Sequence, residues 1–155
     1  MGAMTTIRMA MSGPEEDLNA FLSAHVQAHR RGGSDIDFHT LIPCPIRSWE
    51  GMHAAWGCRS HGWDFKVDLR IPSTVAFRFE VKGADAKAEP ILHEIARRYP
   101  TLTGTVAMVT DTECWSATSA FHDGVLSLTD APWTRAMFEL VEGHPYGEWP
   151  PEEEA

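Results

Sequence analysis

The sequence predicts an α+β sandwich, a mainly antiparallel sheet with two to three helices packed on one face. Three observations predict it. The segment FKVDLRIPSTVAFRFEV alternates apolar and polar residues on either side of a Pro-Ser-Thr turn, the period of a half-buried hairpin. Stretches of helical period flank it, SGPEEDLNAFLSAHVQAHRRGG before and DAKAEPILHEIARRYP after. The 155 residues carry no internal repeat and suit a single domain, which buries roughly 70% of its unfolded surface at this size.

Along the chain, Ile7 to Met11 is a short strand that stops at Ser12-Gly13-Pro14. The first helix has Pro14 early, acids in its first turn, Arg30-Arg31 late and Gly32-Gly33 as its stop. Leu18, Phe21, Leu22 and Val26 form its inward stripe, with His25 and His29 bordering the core. A hairpin follows, residues 65 to 71 with 75 to 81. Pairing Ile71 with Val75 sets Leu69 against Phe77, Val67 against Phe79 and Phe65 against Val81 on the buried face. The same register sets Asp68 against Arg78 and Lys66 against Glu80 on the polar face. The second helix turns Ile91, Leu92, Ile95 and Tyr99 inward, carries Arg97-Arg98 late and ends at Pro100. LTGTVAMVTD and CWSATSAFHDGVLSL are strands, the latter folded at Asp123-Gly124. DAPWTRAMFELVEG is a third helix, with Asp130 as cap, Pro132 early and Gly143 as stop. The order β-α-(loop)-β-β-α-β-β-α has the ferredoxin-like sandwich as its nearest common form. Residues 5–145 are expected to form this one domain. Residues 1–4 read as an expression remnant rather than a myristoylation signal, and residues 146–155 as a disordered acidic tail.

The formal net charge of −9 disfavours direct nucleic-acid binding, which needs cations at phosphates, and favours a protein partner with a basic surface. No apolar run approaches the roughly 20 residues of a membrane span. Three scattered Cys do not make a disulfide framework, which points to the cytoplasm.

Chemistry concentrates in WGCRSHGWDF, residues 56–65. Cys58 and His61, with Cys44 and Cys114, are one possible zinc set, although a strong signal has two close pairs and this chain has one. Cys58 as nucleophile, His61 as base and Asp64 as acid or base make up the enzyme alternative, without an identifiable orienting group. Single-stranded RNA binding on an open sheet ranks below both, because Lys66, Asp68, Arg70, Arg78 and Glu80 include no aromatic for stacking. The structural reading has Trp56 and Trp63 packed at the mouth of the sheet, with Gly57 and Gly62 turning the chain. Arg59, Ser60 and His61 then lie outside, and Trp56, Arg59, His61, Trp63 and Asp64 form an interaction surface. No cofactor or metal is expected.

FHTLIPCP, WGCRSHGWD, AEPILHEIARRYPTL and FHDG occur in the order found in the YubB-type ferredoxin-like family of plasmids and phages, which the chain resembles over residues 5 to 128. Two departures stand out: the Arg59-Ser60-His61-Gly62 insertion, and Val81-Lys82-Gly83 where the family has a Trp. The resemblance implies a fold and a mobile-element origin. The expected function is that of a non-catalytic accessory protein acting by protein–protein binding, such as an inhibitor of a host nucleic-acid-targeting defence system of the anti-CRISPR kind.

Overall fold

The computed structural model describes residues 4–46, 48–83, 86–110 and 115–146. The predicted remnant (save Met4), Cys114 and nearly all of the predicted tail lie outside them. The chain is α+β. Strands β1 (Met4–Ser12), β4 (Trp63–Ile71), β5 (Thr74–Lys82), β6 (Thr103–Thr110), β7 (Ser116–His122) and β8 (Val125–Ala131) form one antiparallel sheet in the order β4-β5-β1-β6-β7-β8. β2 (Val26–Ala28) and β3 (Ser34–Ile36) pair separately.

Alternation in β1 and β5 sorts their side chains. Ile7, Met9 and Met11, with Val75, Phe77, Phe79 and Val81, face the main core. Helices α1 (Glu15–His25), α2 (Trp49–Trp56) and α3 (Glu89–Arg98) cover that face, with Phe21 stacked 5.7 Å from Phe77 and Phe38 edge-on to Phe79. Helix α4 (Arg135–Glu142) lies on the opposite face, where Phe138 and Val141 pack on Val109. Among the described residues, four helices on two faces thus replace the expected two to three on one. The reason is Val109, an apolar residue on the outer face of β6 that needs its own cover.

Several local expectations change with context. α1 ends at His25, not at Gly32-Gly33; those glycines, at φ +96° and +81°, lie between β2 and β3, so Arg30-Arg31 do not close a helix. α2 falls in the segment expected to be loop. Its caps are nevertheless ordinary: Ser48 Oγ accepts from Gly51 N–H at its start, and Gly57 at φ +76° follows its end. Thr134, not Asp130, caps α4, because Asp130 belongs to β8. The Asp123-Gly124 turn (φ +52° and +82°) and the Gly143 stop are as expected.

The hairpin register differs from the one the alternation favoured. Val67 pairs with Phe77, Leu69 with Ala76, Arg70 with Val75 and Ile71 with Thr74. Only Pro72 and Ser73 form the turn, and irregularities between Trp63 and Lys66 and between Val67 and Leu69 offset the strands. Lys66 therefore meets Arg78 and Trp63 meets Glu80, while Asp68 still reaches Arg78 (3.4 Å) and Arg8 (3.7 Å). Phe65 alone of the five apolar β4 residues is buried.

Candidate functional site

The stretch begins with Trp56 at the end of α2, turns at Gly57, and runs beside the end of β5 before entering β4 at Trp63. Arg59 N–H donates to the Lys82 carbonyl (3.2 Å) and Lys82 N–H to Ser60 Oγ (2.9 Å). Cys58 and Ser60 consequently point inward and Arg59 outward. Gly62 makes a bridge with Ile36, and a Cβ there would come within 2.9 Å of the Phe79 ring, so the close approach requires glycine.

The five expected interaction residues are dispersed into three places. Trp56 is buried, and His61 is half-buried against it. The Trp56 indole donates to the Ile42 carbonyl (2.8 Å), its ring lies 4.9 Å from His61 and 4.9 Å from His39, and Phe38 closes the cluster at 5.6 Å. His61 Nδ1 accepts the Phe38 N–H (3.0 Å), with Asp37 Oδ1 at 3.6 Å. That ring nitrogen is committed to holding a loop. Arg59 lies 5.6 Å over Trp49, which Lys82 also approaches at 5.3 Å, forming a surface cation–π group. Trp63 and Asp64 open the edge strand β4 and are exposed.

The thiol chemistry is absent from this arrangement. Cys58 is fully buried, its thiol donates to the Ser60 carbonyl (3.2 Å), and burial pushes its pKa up to about 12. A protonated thiol is neither nucleophile nor ligand at neutral pH. Cys44 is also buried and donates to the Ile46 carbonyl (3.1 Å). Among the described residues no group of three or more His, Cys, Asp or Glu side chains is placed to hold a metal ion.

Asp64 has a positive φ of +54°, at the first irregularity of β4. The preceding residue, Trp63, pairs with Glu80, whose carboxyl is raised above the usual range by burial first and then by the charges of Asp64 and Glu142. Lys66 lies 3.5 Å from Asp64 and only partly offsets them. Apolar side chains are open along this edge: Trp63 at its start is 40% exposed, and Val67 48%, Leu69 46% and Ile71 47% beyond it. Sequence reasoning assigned Val67, Leu69 and Ile71 to the core because their alternation is regular; the pairing offset and the edge position expose them.

A second constellation was hidden in the sequence. Thr40 Oγ1 donates to the Asp37 carbonyl (2.6 Å), so its oxygen accepts from His25 Nδ1–H (2.7 Å), leaving Nε2 to accept from the Tyr99 hydroxyl (2.7 Å). His25 is a neutral imidazole in one tautomer, joining α1, the 38–40 turn and the end of α3. The stripe position of His25 signalled burial, but not its partners.

The chain matches no family model, no curated protein and no solved structure.

Proposed function

We propose that the protein is a non-catalytic binding module that engages another protein through the β4 edge. The observation that carries the reading is the row of exposed apolar side chains Val67, Leu69 and Ile71, beside Trp63, on the outermost strand of the sheet. An exposed apolar edge invites association, and a soluble chain keeps one where a partner covers it. The net charge of −9 favours a partner with a basic surface, and a basic nucleic-acid channel of a defence nuclease is such a surface. The quoted motifs resemble those of the YubB-type family, and that resemblance is the support for a mobile-element origin. The strand order β4-β5-β1-β6, with α1 and α3 on one face, supports the ferredoxin-like reading of that part, to which β7, β8 and α4 are added. The buried unpaired Cys44 and Cys58 suit a cytoplasmic setting. Among the described residues no helix is long and apolar enough to cross a membrane.

The test is affinity capture from a host extract with the wild type and with a Leu69→Lys, Ile71→Lys variant, followed by hydrogen exchange on the purified complex. The expected result is a protein retained by the wild type alone, with amides of residues 66–71 protected. Equal capture by both proteins, or protection elsewhere, removes the edge as the site.

A further inference from the structure

Three side chains at the end of β5 form a cationic surface group away from the apolar edge. The Trp49 indole, 56% exposed, has the Arg59 guanidinium 5.6 Å and the Lys82 ammonium 5.3 Å from its ring centre. The backbone holds the two cations side by side, since Arg59 N–H donates to the Lys82 carbonyl (3.2 Å). Among the described residues neither makes an ion pair with a carboxylate, whereas Arg8, Lys66, Arg78, Lys87, Arg97 and Arg98 all do. The face of one indole attracts both cations but supplies no counter-charge.

The chain carries a segment of the matching charge within reach. Val81 faces the main core, so alternation turns Lys82 to the side that carries α4. Tyr146, the last described residue, lies on that side, packed on Phe138 and the Val109 cluster. Val109 pairs with Thr6 and Thr6 with Glu80, and Lys82 lies two residues farther along β5. These steps amount to about 10 Å across the strands and about 7 Å along them. The sequence continues after Tyr146 as GEWPPEEEA, and its part from Gly147 to Glu152 spans up to about 20 Å when extended. Pro150-Pro151 favour such a course, and Glu152, Glu153 and Glu154 follow them. A separate acidic molecule approaches against the net charge of −9, whereas a segment of the same chain is present at high effective concentration. Arg135, 5.2 Å over the Tyr146 ring, is the competing cation at the root of the segment.

We infer that the acidic segment at residues 152–154 docks on Arg59 and Lys82 beside the exposed Trp49 of the same chain. Its carboxylates supply the counter-charge that the two cations lack. The apolar side chains of β4 take no part, so the edge reading stands or falls separately.

Carbodiimide coupling, which joins an amine to a carboxylate in contact with it, tests this on the full chain with peptide-resolved mass spectrometry. The expected product is an amide between Lys82 and one of Glu152, Glu153 or Glu154 within a single chain. Its yield should fall at about 1 M salt, where the screening length is about 3 Å. In parallel, the Trp49 indole N–H resonance should shift in the variant Glu152→Gln, Glu153→Gln, Glu154→Gln. It should return when a GEWPPEEEA peptide is added at millimolar concentration, in the range of a tethered segment. Lys82→Arg keeps the charge, so it should remove the coupled product and leave the resonance in place. Coupling of the segment to Lys66 or Lys87 only, coupling of Lys82 to Asp85 only, or no coupling at all overturns the inference. So does a shift confined to Arg135 and Tyr146, which assigns the segment to that cation. A product that joins two chains and disappears on dilution makes a second copy the donor and also overturns it. The glutamine variant should melt with the wild type, so a change in the indole resonance reports docking and not unfolding.

Discussion

At His25 the fold holds a neutral imidazole between Thr40 and Tyr99, and burial with the nearby Arg98 guanidinium lowers its pKa from 6.5 to about 4. Between those values the unfolded chain binds a proton that the folded chain refuses, so stability is full above about 6.5 and falls as the pH drops towards 4. The loss is on the order of 3 kcal/mol for this group. Denaturant unfolding at several pH values should show it, and His25→Gln should flatten the profile in that window; an unchanged profile would refute the assignment. The thiols behave oppositely to a reactive pair. Peptide-resolved alkylation of the native protein at pH 8 should leave Cys58 unmodified over times that label a free thiol, and rapid labelling there would contradict its burial. The two Trp of the quoted stretch also differ in cost. Trp56→Ala should lose about 3 to 5 kcal/mol, because the indole is fully buried and hydrogen-bonded. Half-exposed Trp63 should lose about 1 kcal/mol on the same change. His61→Ala should also destabilise measurably, since it strands the Phe38 N–H, whereas Arg59→Ala should be nearly silent in a melt.

Two elements meet at Gly57, where α2 ends and the N-terminus of α3 passes. The residue has φ +76°, and a Cβ would stand 2.9 Å from Pro90 Cδ and 3.2 Å from the Glu89 nitrogen. Gly57→Ala should cost at least about 1 kcal/mol from backbone conformation alone, with the contact adding to it. A melt within error of the wild type would show that α2 and α3 shift without penalty. The β4–β5 hairpin shows why strand existence is easier to read than strand pairing. Alternation identified both strands, because period 2 is a local property. Register depended on a two-residue turn and two offsets, one of them at Asp64 with its positive φ, and neither is encoded in apolar spacing. α2 escaped notice for a different reason: Trp56 is its only buried residue, so it shows no apolar stripe, although Ser48 and Gly57 mark both of its ends.

For the whole molecule, charge and shape make a joint prediction. Raising salt from about 0.1 M to about 1 M shortens the screening length from about 10 Å to about 3 Å. If the partner presents a basic surface to this acidic chain, their association should then slow, while dissociation should change little because the exposed β4 side chains are apolar. Stopped-flow measurement with the purified partner at both salt concentrations checks this, and an association rate independent of salt would exclude a basic surface on the partner.

The sequence by itself determined the α+β class, the six long strands, the turn at Asp123-Gly124 and the central part of three helices, because periodicity, turn chemistry and helix stops act over a few residues. It also marked residues 56–65 as unusual, and Trp63 and Asp64 do open the edge that carries the proposed site. The tertiary structure alone decided that His61 turns back against Trp56 to hold the Phe38 N–H, that Cys58 is buried and protonated, and that α4 covers the second face. It alone placed β4 at the sheet margin, turning Val67, Leu69 and Ile71 outward. Burial is a property of what lies beyond a residue, and an edge strand has the same alternation as a central one until its missing neighbour is known.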